Sequence, residues 1–129
     1  MAKIAECSVI IKDDFNNIFI VRRKTKRNEP KLWYIVGKKV RGKETEEKCV
    51  ARAIKDDLKS IIFNLEKLGE TKINDENNEN CAVYLGQLKE KVVYGNDIVE
   101  GKWVSIKELE NYDLAEYEKE KILFYVNKE

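Results

Sequence analysis

The segment from Thr45 to Leu58 admits few folds. Val50, Ala51, Ile54 and Leu58 recur at helical spacing, Thr45 is placed to cap the N-terminus, and Glu46 and Glu47 fall in the first turn, where the helix dipole favours acid. On a wheel of about 100° per residue the apolar residues gather on one side, while Arg52, Asp56 and Asp57 gather on another. One face needs a core; the other is free to carry chemistry.

The rest of the chain supplies the layer that such a helix packs on. Ile4 to Lys12 carries the β-branched run Val9-Ile10-Ile11, and Ile18 to Arg23 forms a second strand after the turn-rich Asp13-Asp14-Phe15-Asn16-Asn17, so the pair reads as a hairpin. A charged loop from Lys24 to Lys31, with the only proline at Pro30, leads to the apolar run Leu32 to Val36 and then to a basic, glycine-containing loop from Gly37 to Lys43. Further strands are predicted at Ile61 to Leu68, Cys81 to Leu88 and Ile98 to Val104, with Asn74 to Asn80 a loop and Gly95-Asn96-Asp97 a turn region. Ser105 is placed to cap a short helix through Leu109, and an amphipathic helix spans Leu114 to Val126. Strands with helices on two sides give an α/β sandwich. At 129 residues and 43% hydrophobic content the chain suits one buried core, so residues 1–129 are read as a single domain.

Composition narrows the chemistry. The 25 Lys and Arg nearly cancel the 24 Asp and Glu, so there is no global field to draw nucleic acid or membrane, and any anion site must be local. With no histidine, the usual zinc enzymes and His-based triads are excluded, leaving carboxylate, lysine and arginine chemistry. Cys7, Cys49 and Cys81 are odd in number, widely spaced and set in apolar stretches, which reads as buried reduced thiols. No stretch approaches the roughly 20 apolar residues of a bilayer span. The chain is read as cytoplasmic.

Asp56 and Asp57 are adjacent carboxylates on one helix face, and their repulsion is commonly relieved by a divalent cation with oxygen ligands. Glu44, just before the helix, can lean over the same face, and three carboxylates suit magnesium or manganese. The plain alternative is a surface Arg52–Asp56 pair at i,i+4 and a solvated Asp-Asp near a helix end.

The spacing resembles the Nudix box, which reads Gly, five residues, Glu, seven residues, Arg-Glu, an apolar residue, any residue, Glu-Glu, any residue, Gly and an apolar residue. Glu44 and Arg52 fall in place without a gap, Ile54 fills the apolar position, and Asp56-Asp57 take the paired Glu positions. Asn17 to Arg23 looks like the MutT-type strand that ends in a phosphate-facing arginine, and Leu32 to Gly37 resembles the stretch before the box. Glu100 to Val104, followed by Ile106 and Glu108-Leu109, is similar to the later strand and helix. The resemblance implies a Nudix-type α/β/α sandwich with a mixed β-sheet, and metal-dependent cleavage of a nucleoside diphosphate linked to another group. It gives Gly37, Glu44, Asp56 and Asp57 to magnesium or manganese. Arg52 orients Glu44 or a neighbouring carboxylate, and Arg23 holds phosphate with its forked donors. In the basic loop Lys38-Lys39-Val40-Arg41-Gly42-Lys43, Lys39 stands among the cations that could grip a polyphosphate tail; the alternative is a solvated loop. Trp33 and Tyr34 could stack on a base or simply pack in the core.

The chain also departs from the pattern. Ala53 stands where the family has a metal-binding or water-activating Glu, and the wheel puts it between Asp56 and Asp57. Lys38 replaces the first glycine of the box, where positive φ is easy for glycine alone. Val36, Lys59 and Ser60 replace a proline, the closing glycine and an apolar residue. The replacement base is sought at Glu100 or Asp97 on the later loop, which makes Glu44, Arg52, Asp57 and Glu100 the catalytic set. Two readings follow: a metal-dependent pyrophosphohydrolase with a modified box and weak metal binding, or a Nudix-fold module that binds a nucleotide-like ligand, or a protein, without turnover.

Overall fold

A computed structural model describes residues 3–74, 78–89, 91–115 and 117–128. Among the described residues there are seven strands: β1 (Lys3–Ile11), β2 (Asn17–Arg23), β3 (Trp33–Tyr34), β4 (Val36–Lys39), β5 (Ile62–Asn74), β6 (Glu79–Leu88) and β7 (Ile98–Ser105). The first sheet has the order β4-β1-β6-β5 and is mixed, because β1 runs parallel to β6 while the outer pairs are antiparallel. The second, β3-β2-β7, is antiparallel.

The first two strands do not form the expected hairpin. Their turn is well made: Asp13 Oδ1 accepts from the backbone N–H groups of Phe15 and Asn17, and Asn16 adopts φ 62°. Beyond the single Lys12–Ile18 bridge, however, the strands part into different sheets. The cause lies in their side chains. Val9, Ile10 and Ile11 are all buried, as are Ile18 to Val21, so each strand must be covered on both faces, as near-continuous apolar runs are.

Helix α1 (Glu46–Leu58) begins where Thr45 Oγ1 accepts from Lys48 N at 3.2 Å and ends at Lys59 in the left-handed region. It packs against both sheets at once, on Val9, Ile11 and Ala82 of the first and on Phe19, Val21 and Ile98 of the second. Two covering surfaces widen the buried stripe and turn it away from the expected one. Cys49, Ala53 and Asp57 are buried with Val50, Ile54 and Leu58, whereas Ala51 is exposed. On the other face Ile10, Val83 and Leu85 meet Ile18, Ile20 and Val104 under Leu109, Ile122 and Tyr125. The result is an α/β/α sandwich.

Other boundaries shift for local reasons. Gly37, Lys38 and Lys39 lie in β4, paired with Ser8, Cys7 and Glu6, and not in a loop; Lys38 therefore has no need of a positive φ. A Cβ on Gly37 would sit 2.6 Å from Cys7 O, so the tight strand pairing explains this glycine. Strand β5 extends to Asn74 and β6 starts at Glu79, shortening the expected loop, of which residues 75–77 lie outside the described ones. Ser105 Oγ accepts from Glu108 N and donates to Glu108 Oε1, but the turn it starts, Lys107–Asn111, is 3₁₀. Helix α2 (Glu118–Lys128) begins later than Leu114, which instead bridges Trp33. Among the described residues no helix is long and apolar enough to cross a membrane.

The segment before β7 is clamped to α1: Val93 N donates to Leu58 O and Gly95 N to Asp57 O at 2.8 Å. A Cβ on Gly95 would run into the Asp56 carbonyl. Gly95→Ala is expected to lift this segment and lower stability by about 1–3 kcal/mol, the usual range for overpacking, as measured by urea unfolding.

Candidate functional site

The start of α1 is fixed by an ion pair with two contacts. Arg52 Nε donates to Glu44 Oε2 at 2.9 Å and Arg52 Nη2 to Glu44 Oε1 at 3.0 Å, while Nη2 also reaches Lys39 O at 2.6 Å. Glu44 Oε1 further accepts from Arg41 N, closing the turn between β4 and the helix. Arg52 thus engages Glu44 and ties β4 to α1, and makes no ion pair with Asp56. Its guanidinium, helped by the Arg41 N–H, holds the Glu44 carboxyl down to about 2.

The end of α1 carries the second cluster. The Asp57 side chain is only 2% exposed, and its Oδ2 accepts from Arg23 Nη2 at 2.8 Å. Lys38 Nζ lies 3.6 Å from Asp57 Oδ1 and 3.8 Å from Asp56 Oδ2. Arg23 spends its other arm on Asp97 Oδ2 at 2.7 Å and touches the Gly37 carbonyl at 3.3 Å. Burial opposes the charge of Arg23, but its bonds to Asp57 and Asp97 outweigh that and raise its pKa.

These contacts decide whether a divalent ion fits the expected ligands. Glu44 is committed to Arg52, both Asp57 oxygens face cations, and the Gly37 carbonyl faces Arg23. Among the described residues no group of three or more acidic or thiol side chains is gathered for a metal. Ala53 is fully buried in the helix core, so it does not open onto a cleft between the aspartates. Magnesium or manganese does not fit this donor set as it stands: the Lys38 ammonium already bridges Asp56 and Asp57.

Glu100 is not brought to the cluster. It pairs with Arg22 at 2.7 Å, and Arg22 stacks on Trp33, on the sheet face away from α1. Asp97 is the later carboxylate that does arrive, through Arg23.

A cavity of about 320 Å³ opens beside this cluster, between the first sheet and α2. Its lining includes Arg23, Lys38 and the exposed Lys39, with Tyr34 and Tyr117. Trp33 instead packs in the core. Ser8, Thr71, Cys81, Glu118 and Lys121 line it as well. There Lys121 Nζ pairs with Glu118 Oε2 at 2.6 Å and donates to Ser8 Oγ at 3.0 Å, while Glu118 Oε1 accepts from Ile35 N. Burial works against the Lys121 charge, and the neighbouring Glu118 more than restores it. Sequence reasoning missed this group. The one available sign was Ser8, a lone polar residue in the buried run Cys7 to Ile11.

The comparisons agree with this architecture. The model of the NUDIX domain family matches residues 3–125. No curated protein matches the chain. Among solved structures it is similar to MutT in the work on the fish pathogen Aliivibrio salmonicida and on Vibrio cholerae, with a TM-score of 0.79 at 19% identity over 97% of this chain and 98% of that one. It is similar also to a MutT Nudix hydrolase from Burkholderia pseudomallei, with a TM-score of 0.80 at 19% identity over 95% and 98% of the two chains. A third is the NUDIX domain of Shewanella oneidensis NrtR complexed with ADP ribose, with a TM-score of 0.74 at 16% identity over 99% and 89%. The family match spans nearly the whole α/β/α sandwich. The chain belongs to the Nudix family.

Two outcomes test the geometry. Because the Glu44 carboxyl is lowered in the folded state, its contribution is present above the ordinary value of 4.5 and is lost as pH falls toward about 2. Melting temperature is therefore expected to fall over that window, and Glu44→Gln to flatten the fall. If Lys38 occupies the cation position, manganese leaves the wild-type melt unmoved. Lys38→Ala then gains a shift, about 1.4 kcal/mol at ten times the dissociation constant. Asp57→Asn removes that shift in the Lys38→Ala background, whereas Glu100→Gln does not.

Proposed function

We propose that this Nudix domain binds a nucleoside diphosphate or a derivative of one, and that metal-dependent hydrolysis of it is slow. The observation that carries this reading is the make-up of the cavity wall: five lining residues are cationic (Arg23, Lys38, Lys39, Lys72, Lys121), of which Arg23, Lys38 and Lys121 are held by carboxylates and Lys39 is exposed. An exposed lysine beside bound cations gives a pyrophosphate a first contact there, and a phosphate can exchange with the carboxylates for the other donors. Pyrophosphate lies beside Lys39, next to Lys38 and to Arg23, whose two arms are held by Asp57 and Asp97, and the base enters between Tyr34 and Tyr117. The printed description of the NrtR domain, bound to ADP ribose, supports a ligand of this class. The paired state of Asp56 and Asp57 supports slow turnover, since an ammonium balances their charge but cannot act as a Lewis acid on phosphate or acidify a water.

Full hydrolase activity is the second reading, favoured by one observation: the Glu44–Arg52 fork stands in the box register with both contacts formed. We assign the cytoplasm as the setting, on the strength of three free, buried cysteines.

Titration calorimetry without metal is expected to show nucleoside diphosphates and inorganic pyrophosphate binding, more weakly as salt rises, with Lys39→Ala weakening both by about two- to tenfold. A nucleoside-diphosphate panel with magnesium and with manganese decides between the two readings. Turnover in the ordinary enzymic range of about 1–10³ s⁻¹ establishes the hydrolase and rejects the slow-turnover reading. Absence of binding by every diphosphate and by pyrophosphate rejects both.

A further inference from the structure

Charge is divided unevenly along this chain. Residues 22–43 hold ten lysines and arginines against one carboxylate, Glu29, while the remaining residues hold fifteen against twenty-three. A net charge of +1 therefore conceals one strongly basic segment, and its placement in the fold decides what it can meet.

The fold gathers that segment at one end of the sandwich. β1 and β2 are antiparallel at their Lys12–Ile18 bridge, so β2 finishes, at Arg23, where β1 starts. β4 runs antiparallel to β1 and finishes at the same end, with Val40 N donating to Ala5 O. Each of the two strands then leads into a turn, and the turns are built alike. In Lys26-Arg27-Asn28-Glu29, Glu29 N donates to Lys26 O at 3.0 Å and Glu29 Oε1 accepts from Lys26 N at 3.2 Å. In Arg41-Gly42-Lys43-Glu44, Glu44 N donates to Arg41 O at 2.9 Å and Glu44 Oε1 accepts from Arg41 N at 3.2 Å. The one carboxylate of each turn is thus bonded to its own backbone, and the cations face outward: Lys26, Arg27, Arg41 and Lys43 are all exposed. Lys24, Lys31 and Lys39 are exposed beside them. Nearby carboxylates have other partners, since Glu44 holds Arg52, Glu46 holds Lys67 and Asp97 holds Arg23.

Cations spread over two turns suit phosphates spaced along a chain better than one compact anion. A lipid surface is disfavoured, because residues 22–43 expose no large apolar side chain to enter it. Turns this short do not fill a duplex groove, which admits a helix or a two-stranded ribbon. The adjoining cavity has Tyr34 and the exposed Tyr117 in its wall, which are aromatic faces for an unpaired base. We propose that this end of the molecule is a docking surface for single-stranded nucleic acid, with backbone phosphates across the two turns and a base at the cavity wall. The proposal goes beyond the nucleotide reading and takes from it only the place of the base.

Fluorescence anisotropy with labelled oligouridylate and oligodeoxyuridylate, each of about 15 nucleotides, measures this docking without metal. Affinity is expected to fall with salt, with a log–log slope of about −3 to −5 for roughly four to seven neutralised phosphates, and the tighter strand identifies the backbone. The matching duplex, polyglutamate and phosphatidylserine vesicles are expected to bind more weakly at equal salt. Lys26→Ala, Arg27→Ala, Arg41→Ala and Lys43→Ala combined are expected to weaken strand binding at least about tenfold and to reduce the slope by about 3. Lys12→Ala, Lys89→Ala, Lys91→Ala and Lys107→Ala combined remove the same charge from the opposite end of the sandwich, where Ile11 pairs with Gly86 and Asn17 with Ser105. That set is expected to change affinity by less than about twofold, since screening confines the effect of a distant charge. An unchanged melting temperature shows that both variants are folded. Equal losses from the two sets, or tighter binding of duplex, polyglutamate or vesicles, overturns the docking surface. Pyrophosphate binding without binding of either strand also overturns it and leaves the nucleotide reading in place. Strand binding without binding of pyrophosphate or any diphosphate supports the surface and rejects the nucleotide reading.

Discussion

A buried carboxylate must find positive charge, and much of this structure is arranged around the one at Asp57. The residue sits at the end of α1, yet its partners come from three other elements: Arg23 from the end of β2, Lys38 from β4 and, through Arg23, Asp97 from the segment before β7. The cluster therefore joins the two sheets to each other and to the helix between them. Breaking such a pair on one side leaves an uncompensated buried charge, at a cost of about 3–5 kcal/mol, which is why the elements it joins hold a common position. The backbone bond from Gly95 N to Asp57 O fixes the same corner from the main chain.

Features decided within a few residues could be read from the sequence, and features decided across the chain could not. The Thr45 cap, the acidic first turn and the core roles of Val50, Ile54 and Leu58 are local, and all are present. The Glu44–Arg52 contact was legible because both residues belong to a spaced motif on one short segment. The divergence of β1 and β2 was not, because strand partners are chosen by covering surfaces far away in sequence, and the same is true of Lys38 in β4. Asp57 looked like an exposed ligand on the wheel; its cover comes from residues 93–95 and from Arg23. Thr71 gave no signal at all, since its burial depends on neighbouring strands and on the distant helix above them.

The two ends of α1 solve the same electrostatic problem in different ways. At Glu44 the partner is a guanidinium on the same helix, held in fork geometry, and the pair is partly open to solvent. At Asp57 the partners are remote and the carboxylate is enclosed. An ammonium serves there because it is tethered: its position is paid for once, by the folding of β4, whereas an ion from solution must be captured from bulk each time. The exchange has a chemical consequence. A tethered lysine has no open coordination site, so it can balance charge and attract an anion but cannot hold a water and a phosphate oxygen side by side, as a metal ion can.

This difference separates affinity from turnover. On the proposed reading, attraction of a polyphosphate depends on the lysine and arginine side of the cavity wall and not on a held metal. On the same reading, slow turnover follows from where the box residues sit: Ala53 is packed in the core, Asp57 is paired twice, and Glu100 faces Arg22 on the far side of the sheet. A domain can therefore retain the family's cradle for phosphate while losing the arrangement that cleaves it. In this chain Lys38, which lies beside Asp56 and Asp57, is also one of the residues that line the cavity.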